Sequence, residues 1–461
     1  MAPWSYRLVL ATGFCVAAAG CATGSALTDG STQPRKSYIL PVVEIVGFQA
    51  GLNLVDRQLV DDGTFDVTMA SIRRNLRGPW VVDQDAFEVN QFLHPYQGSI
   101  YHTSARASGL TYWQSVAYTF AGSALWEIAG ETTPPSKNDQ IASGIAGSFF
   151  GEAMFRTANL LVDKAENRPG AGRMLMVALL SPPTALNRVA FGDRFDYVMP
   201  THDPLYDARV QVGVAGARQA GDARFRLQRD ETVLDLSLEY GLPGRTDYRY
   251  SRPFDYYSLQ ATASTESGLE SVTSRGLLVG RGYEAGLSGR GVWGLYGVYE
   301  YLSPHLFRVS STALALGTSS HWAFGRTAVH TTGLAGLGFA AAQTLANDDD
   351  HHYGLTPQAA ASLRLTAGSR AAFDISGRGF LVSDIGGYET PTDDLVLRAE
   401  ASLGLRLFSR HAVSLRYVFN RRDASVTLLA REAVGRQQRE TFGIFYTLLG
   451  PQGFGATRWN R

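Results

Sequence analysis

The spacing of apolar residues differs between the two halves of this 461-residue chain. From residue 38 to about residue 165, apolar side chains recur every three to four positions, as on the buried face of an α-helix. Residues that favour a helix start, such as Pro41, Pro95 and Ser136, stand at the beginning of several of these stretches. The pattern predicts a helical domain at residues 38–170, with helices at residues 38–48, 66–76, 95–108, 111–131 and 136–164.

Beyond about residue 206, apolar and polar side chains alternate, as in a β-strand with two unlike faces. Between Leu395 and Leu407 the odd-numbered positions are Leu or Ala, whereas Arg398, Glu400 and Arg406 occupy even-numbered positions. The pattern predicts a transmembrane antiparallel β-barrel of about 12 strands at residues 200–461. Comparable alternating runs occur at residues 208–216, 233–240, 257–265, 292–301, 307–317, 322–329, 361–365, 373–380, 413–420 and 442–449.

The connections between the predicted strands also favour a membrane barrel. Those at residues 367–370 and 409–410 are short, whereas those at residues 347–352 and 421–439 are longer, and this alternation is typical of outer-membrane barrels. A soluble sandwich or barrel alternates in the same way and is the competing interpretation. The predicted fold class is α+β, with an N-terminal helical domain that precedes the barrel and lies on its periplasmic side or inside its lumen.

The N-terminus has the features of an export signal. Arg7 precedes an apolar run that ends at Gly20, and this run is too short to span a membrane. We predict a signal peptide at residues 1–20, a flexible polar leader at residues 21–37 and a location in the cell outer membrane. Small residues precede Cys21, as at a lipoprotein cleavage site, which makes Cys21 a candidate for lipidation. Ordinary cleavage after an Ala-x-Ala sequence is the alternative.

Charge and composition narrow the classes of partner. Lys and Arg together number 42, as do Asp and Glu, so the chain has no formal net charge at pH 7. A nucleic-acid-binding protein needs a basic surplus on one face, and this balance argues against one. Cys15 lies in the predicted signal, so the mature chain keeps at most Cys21 and forms no internal disulfide. The expected partner is outer-membrane lipid, together with an unidentified envelope partner or small solute.

The predicted helices carry ionisable side chains within largely apolar sequence. His94 and His102 are eight positions apart, which places them two turns apart on one side of a helix. Glu127 and Glu131 are four positions apart and would share a helix face. Buried carboxylates need a cation, a histidine or a metal ion nearby, and Lys137 is one such cation. The candidate metal ligands are therefore His94, His102, Glu127 and Glu131, and the candidate catalytic residues are these four with Asp139 and Glu152.

Simpler interpretations of the same region stay open. Ser136, Asn138 and Asp139 stand where helix-capping residues stand, and Glu152 has the spacing of an ordinary intrahelical ion pair with Arg156. Standard motifs for zinc binding, nucleophilic catalysis and phosphate binding are absent, so enzyme activity is uncertain and the cofactor is unknown. Close approach of another helix or a lipid is predicted where side chains are missing, at Gly144, Gly147 and Gly151.

The residues of the helical half resemble a known bacterial family. The resemblance rests on residues 80–85, on residues 90–102 around His94 and His102, and on residues 118–139 around Glu127 and Glu131. It continues from Gly144 to Glu152 and covers about residues 80–164. The family is the domain of unknown function 3943. This resemblance implies an envelope protein of Gram-negative bacteria and assigns no activity.

Three hypotheses about function follow from these observations. The first is a binding or passage role for an outer-membrane β-barrel with a helical domain. The second is an envelope enzyme that acts on a lipid or cell-wall group through the His/Glu/Asp cluster. The third is a structural scaffold without a ligand. Whether the side chains of His94, His102, Glu127, Glu131 and Asp139 converge is the observation that distinguishes the three hypotheses best.

Overall fold

The chain divides into two compact units, residues 1–202 and residues 203–461. The computed structural model describes residues 35–60, 62–163, 169–197, 204–219, 230–244, 248–286, 288–304, 306–344, 351–384, 392–428 and 431–455. The predicted signal peptide at residues 1–20 and the lipidation candidate Cys21 lie outside these described residues, as does most of the predicted leader. We describe the two units separately.

The first unit is helical, as the apolar spacing predicted. The helices are α1 (Leu40–Leu59), α2 (Met69–Arg77), α3 (His94–Ala107), α4 (Tyr112–Ala129), α5 (Lys137–Ile141), α6 (Gly147–Asp163), α7 (Ala171–Leu180) and α8 (Pro182–Phe191). Two short π-helical stretches accompany them. Val89–Leu93 directly precedes α3, and Ala142–Ala146 lies between α5 and α6. Helices α7 and α8 lie in a region to which the sequence analysis assigned no element.

Local capping sets several helix boundaries. Thr68 and Ser71 form a reciprocal capping box at the start of α2, and Thr111 and Gln114 form one at the start of α4. Helix α4 ends at Ala129, which is two residues before the predicted end. Glu131 therefore lies beyond the helix, and the predicted shared helix face for the two glutamates is wrong. None of the described helices is long and apolar enough to cross a membrane.

Helices α3 and α6 approach each other closely where both lack side chains. A β-carbon added at Gly98 would lie 2.0 Å from the carbonyl oxygen of Ser143, and one added at Gly147 would lie 2.7 Å from the α-carbon of Gly98. A β-carbon at Gly151 would lie 2.9 Å from the β-carbon of His102. The predicted close approach of another helix is thus present, and it brings the residue after Gly151 next to His102.

Within the described residues of the second unit, 12 antiparallel strands close into a barrel. Each strand pairs with its neighbours in sequence, and β1 pairs with β12, so the sheet has no free edge. This confirms the predicted fold class. The strands are β1 (Tyr206–Gln219), β2 (Asp230–Tyr240), β3 (Tyr257–Ser264), β4 (Gly268–Glu284), β5 (Gly289–Leu302), β6 (Val309–Phe324), β7 (Thr327–Gln343), β8 (His351–Ala367), β9 (Ala371–Asp384), β10 (Thr392–Phe408), β11 (His411–Leu428) and β12 (Arg431–Leu449).

The two faces of the barrel wall differ in polarity in the manner of a membrane barrel. On β10, Leu403 is 40% exposed, whereas the inward-facing Arg398 is 3% exposed. Large apolar side chains are exposed in the same way on other strands, for example Val214, Leu316 and Ile444. A soluble barrel would instead bury its apolar residues inside and expose its charges. The outward apolar and inward charged faces therefore exclude the soluble interpretation.

Three strand assignments from the sequence need correction. The run at residues 322–329 contains the tight turn at Gly325 that joins β6 to β7, so it is a hairpin and not one strand. The connection predicted at residues 421–439 is largely strand, because β11 and β12 extend through it. Strand β4 was not predicted at all. Its sequence carries polar residues and glycines on both faces, so apolar residues do not alternate along it.

Candidate functional site

The structure divides the six candidate residues among three places in the helical unit. His94, Glu127 and Asp139 lie together, and we call them the His94 group. His102 and Glu152 belong to a second buried cluster on α3 and α6. Glu131 joins neither, because its carboxylate accepts hydrogen bonds from the indole of Trp126 at 2.8 Å and the hydroxyl of Thr133 at 3.0 Å.

The His94 group brings one imidazole and two carboxylates within reach of one another. One side-chain N or O atom from each of His94, Glu127 and Asp139 lies within 4.8 Å of the other two, and all three residues are buried. His94 Nε2 is 3.6 Å from Asp139 Oδ2, which is longer than a hydrogen bond. His94 Nδ1 lies 3.5 Å from the hydroxyl of Ser143.

Backbone contacts hold the acidic residues of this region in place. Val81 forms a bridge with Ser136, and the backbone N–H of Ser136 donates a 2.9 Å hydrogen bond to Glu127 Oε2. The bridge also places Asp83 beside α5, where its backbone N–H donates to the side chain of Asn138 at 3.0 Å. The Ser136 hydroxyl accepts from the backbone N–H of Asp139 and caps α5, so the capping interpretation of Ser136 is correct.

Electrostatics in the His94 group favour neutral forms of its members. Burial raises the pKa of Glu127 well above its usual range, and the nearby carboxylate of Glu131 adds to this rise. Burial likewise raises the pKa of Asp139, with further contributions from Asp83 and Glu127. Burial lowers the pKa of His94, so its imidazole is neutral at pH 7. The group thus has an excess of acceptors that a proton or a cation must compensate.

The second cluster, which we call the Glu152 group, consists of His102, Arg106, Glu152 and Arg156. Glu152 accepts hydrogen bonds from Arg106 Nε at 2.7 Å and from Arg156 Nε at 2.9 Å. His102 Nε2 lies 3.0 Å from Glu152 Oε2, and the guanidinium of Arg106 also covers the ring of Phe155 at 4.7 Å. Both oxygens of the carboxylate therefore have cationic donors.

Charge in the Glu152 group is compensated from within. Burial alone would raise the pKa of Glu152, but the guanidinium of Arg106, the imidazole of His102 and the guanidinium of Arg156 hold it well below its usual range. Burial lowers the pKa of His102 despite its contact with Glu152. The predicted intrahelical pair of Glu152 and Arg156 is present. This arrangement matches a structural ion-pair network better than a reactive site.

A cavity of about 360 Å³ borders the His94 group. It is lined mainly by apolar and aromatic side chains of α1 and of residues 86–96, including Phe48, Leu52 and Tyr96, and also by Trp126 of α4, by His94 and by Glu131. Ligand cavities commonly have this composition, with apolar walls and a few polar groups. His94 is thus shared between the cavity and the carboxylates behind it.

The barrel lumen holds a second concentration of charge. Ion pairs join strands that are not neighbours in the sheet, so they cross the lumen. Arg398 on β10 lies 3.2 Å from Glu270 on β4, which is six strand positions away around the barrel. Four further ion pairs cross the lumen. Arg209 on β1 lies 3.0 Å from Asp374 on β9, and Glu300 on β5 lies 3.4 Å from Arg378 on β9. Asp235 on β2 lies 3.1 Å from Arg416 on β11, and Asp207 on β1 pairs with Arg364 on β8.

These crossing pairs enclose a polar chamber of about 190 Å³ in the lumen. Its wall carries arginines from four strands and an opposing set of carboxylates, among them Arg209, Arg364, Asp235, Asp374 and Glu400. An open porin leaves a continuous aqueous channel between its inward side chains. In this barrel, ion pairs reach across the lumen and border a small chamber lined by charges of both signs.

Sequence reasoning missed two residues that complete these clusters. Asp83 contacts Asn138 and adds a third carboxyl group next to the His94 group, but it lies between the predicted helices at residues 66–76 and 95–108. Arg106 neutralises Glu152, and its spacing on the chain gives no sign of this. Only the contact between helices α3 and α6 brings Arg106 and Glu152 together. The alternation of Arg and Leu in the strands was a sufficient signal for the lumen charges.

Several solved outer-membrane proteins are similar to part of this chain. The NanC porin in a rhombohedral crystal form covers 51% of this chain and 98% of its own, with 10% identity and a TM-score of 0.27. OmpT of Vibrio cholerae covers 53% of this chain and 97% of its own, with 9% identity and a TM-score of 0.21. The match to the CymD monoaromatic hydrocarbon channel covers 53% of this chain and 88% of that channel, with 11% identity and a TM-score of 0.17. Scores this low carry no argument about function.

Sequence comparison identifies the helical unit and not the barrel. No curated protein matches the chain at a significant level. Residues 79–183, which contain both the His94 group and the Glu152 group, match the profile of the family described as domain of unknown function (DUF3943), and this confirms the family that the sequence motifs indicated.

Proposed function

We propose that this protein is an outer-membrane barrel that binds small charged solutes in its lumen and passes them only when its crossing ion pairs open. The observation that carries the proposal is the pair of guanidinium–carboxylate contacts that join β1 to β8 and β9 across the central chamber. Charged groups of both signs line the chamber, which suits small zwitterions or salts better than bulky apolar solutes.

Location in the outer membrane is the first part of this proposal. The apolar exterior of the strands supports it, and the predicted signal at residues 1–20 supplies the route. Leu403→Arg is expected to weaken insertion by about 2–4 kcal/mol if the residue lies near the bilayer midplane, whereas Leu403→Ala should cost less. Recovery of the native protein from the soluble periplasm without detergent would contradict the location.

Lipidation of Cys21 is a separate proposal about the anchor. An acylated Cys21 would be the first residue of the mature chain and would carry a lipid mass increment that Cys21→Ala abolishes. Mass spectrometry of the mature N-terminus decides this. An unmodified mature chain that begins before or after Cys21 would contradict it and leave the passage proposal unaffected.

Passage is tested by single-channel recording in planar bilayers. The wild-type barrel is expected to show low and intermittent conductance, since ion pairs cross its lumen. Replacing Asp207, Arg209, Arg364 and Asp374 together with Ala removes two positive and two negative groups, so no buried charge loses its partner through this change alone. This variant is expected to conduct several times more current at the same voltage.

The matched control removes an ion pair that does not cross the lumen. Arg421 and Asp423 lie on the same strand, β11, and contact each other directly. Replacing both with Ala should leave conductance unchanged. A large steady wild-type conductance would show that the lumen is open. A quadruple variant that folds into a barrel but conducts no better than wild type would contradict a passage role and favour the scaffold hypothesis.

An envelope enzyme is the second candidate function, and one observation favours it. His94 lines the largely apolar cavity of about 360 Å³, so a lipid-like or other apolar group that entered the cavity would meet an imidazole. The expected result is His94-dependent turnover of such a substrate by the purified full-length protein. Equal turnover by wild type and by His94→Gln would contradict it.

A further inference from the structure

The His94 group has the donor set of a metal centre and a geometry close to one. One imidazole nitrogen and two carboxylate oxygens, from three different parts of the chain, lie within 4.8 Å of one another. Ligand atoms bound to one zinc ion at about 2.0–2.2 Å in tetrahedral geometry are about 3.4 Å apart. The 3.6 Å separation of His94 Nε2 and Asp139 Oδ2 is near that value and too long for a hydrogen bond.

The charge around the group gives an independent reason for a cation. Three carboxyl groups, those of the buried Glu127 and Asp139 and of the half-buried Asp83, influence one another. Among the described residues, no arginine or lysine forms an ion pair with any of the three, and Lys137 beside them is exposed. Buried acidic groups need either protons or a cation, and one divalent cation would compensate all three groups at once.

The backbone adds a third observation. The π-helical stretch Val89–Leu93 ends immediately before His94, and the stretch Ala142–Ala146 begins soon after Asp139. Such stretches lack the usual helical hydrogen bonding and occur frequently at functional sites. One stretch thus adjoins His94 directly, and the other begins three residues after Asp139.

We propose that His94, Glu127 and Asp139 form a three-ligand site for a divalent transition metal, with zinc as the best fit. The neutral imidazole offers Nε2 as a ligand, and the carboxylates each offer one oxygen. Calcium and magnesium prefer sites built from oxygen ligands alone, so the imidazole disfavours both. Thiolate-dependent sites are excluded because no cysteine belongs to the group.

Asp83 and Asn138 act as positioning residues for this site. The amide of Asn138 donates to Asp139 Oδ1 at 3.2 Å and to Asp83 Oδ1 at 3.3 Å, and Asn90 donates to the same oxygen of Asp83 at 2.7 Å. Ser136 N–H holds one oxygen of Glu127 in the same way. Such contacts fix the orientation of metal-binding carboxylates in other sites.

Three protein ligands leave a coordination position for water or substrate, as catalytic zinc sites do. His94 is the ligand of the proposed set that lines the neighbouring cavity of about 360 Å³, which has the size of a ligand cavity. This proposal concerns the helical unit and is independent of passage through the barrel. Its failure and the failure of the passage proposal are therefore separate results.

The test is metal binding by the full-length protein in detergent. The protein is stripped with a chelator and titrated with Zn²⁺, Mn²⁺ and Mg²⁺ in turn, with metal content measured after gel filtration. The wild type is expected to bind one equivalent of zinc tightly, manganese more weakly and magnesium least. Co²⁺ substituted for zinc should give a visible absorption spectrum of nitrogen and oxygen ligation.

Variants then assign the ligands. Glu127→Gln and Asp139→Asn are each expected to weaken zinc binding by at least about tenfold and to abolish the cobalt spectrum. Glu131→Gln is the matched control, since it removes a nearby carboxylate that bonds to Trp126 and Thr133 and should leave binding unchanged.

Two results would overturn the proposal. The first is a wild-type protein that takes up no zinc equivalent, which needs no variant to interpret. The second is zinc binding that Glu127→Gln and Asp139→Asn leave intact, or that Glu131→Gln weakens as much as they do. Thermal unfolding with and without zinc checks the variants, because a bound metal raises the unfolding temperature of the wild type and not that of a variant without the site.

Discussion

His94 and His102 lie on the same helix and are both buried next to a carboxylate, but the charge around them differs. In the Glu152 group, Arg106 and Arg156 bond to the single carboxylate, and burial is compensated within the protein. In the His94 group, Glu127 and Asp139 lie near one imidazole and near a third carboxyl group, that of Asp83, and no arginine or lysine among the described residues forms an ion pair with any of these three acids. Two clusters that each contain a histidine and a glutamate thus differ in whether arginines compensate the acidic side chains.

This difference separates a structural cluster from a candidate binding cluster. A buried ion pair with all its donors present is complete, and removing one partner destabilises the fold. A buried set of acidic groups without a cation destabilises the folded protein, and residues in such unfavourable surroundings are often found at functional sites. The charge balance, more than the presence of His and Glu, is what makes the His94 group the stronger candidate site.

The largest expected effect is on the complete cluster. Glu152→Gln leaves the guanidinium groups of Arg106 and Arg156 buried without their carboxylate, and should lower the free energy of unfolding by about 3–5 kcal/mol. Chemical unfolding of the full-length protein in detergent, followed by near-ultraviolet circular dichroism, measures it. Glu131→Gln, outside both groups, should change stability by about 1 kcal/mol or less. Equal losses in the two variants would contradict the contrast.

A smaller loss in the free energy of unfolding is expected from a change at the close contact between α3 and α6, which brings together the parts of both clusters. Gly98 lies on α3 between the two histidines, and an added methyl group would meet the backbone of Ser143 at 2.0 Å. Gly98→Ala should cost about 1–3 kcal/mol, because backbone atoms must move. Gly172→Ala on α7 is the control, since no described residue has an atom within 4 Å of its added methyl group, and it should be neutral or slightly stabilising. The same unfolding assay compares them.

A still smaller effect, with the opposite tendency, is expected in the incomplete cluster. In metal-free protein, Asp139→Asn removes an acidic group whose ionisation is disfavoured by burial and by Asp83 and Glu127, and it keeps a side chain of nearly the same shape. Its free energy of unfolding should stay within about 1 kcal/mol of the wild-type value or rise above it. A loss as large as that of Glu152→Gln would mean that Asp139 is already paired with a cation, and the contrast between the clusters would fail.

The least effect is expected from a change of pH in the neutral range. The folded-state pKa of Glu152 is depressed below its ordinary value of 4.5, so its contribution is fully present above that value and is lost as pH falls toward the folded pKa. The stability difference between wild type and Glu152→Gln should therefore be constant from pH 8 to about pH 5.5 and shrink below about pH 4.5. A difference that shrinks as pH rises would contradict this sign.

Much of the fold was predictable because it follows from local patterns. The spacing of apolar residues by three to four positions predicted most of α1 to α6. Strict alternation of apolar and polar residues predicted β10 and β11, whose outward faces are apolar. Prediction failed where the pattern is weak. Strand β4 shows no clean alternation, and the short hairpin at Gly325 has strand-like residues on both sides of its turn.

The site was predictable only in part. Glu127, Asp139 and both histidines were recognised because ionisable residues are unusual on apolar helices. Their grouping was wrong, since spacing along the chain placed Glu131 with Glu127 and offered no partner for Asp139. The end of α4 at Ala129 removes Glu131 from the group, and the bridge between Val81 and Ser136 brings Asp83 into contact with it.

Residue order alone was enough to predict most of the helices and strands, the apolar faces of the clearly alternating strands, and the ionisable residues on apolar helices. These properties depend on residues a few positions apart, so local spacing records them. Which ionisable groups meet became apparent only from the fold. The close approach of α3 and α6 gives Glu152 its arginines and leaves the His94 group without one, because contacts between distant segments depend on packing that local spacing does not encode.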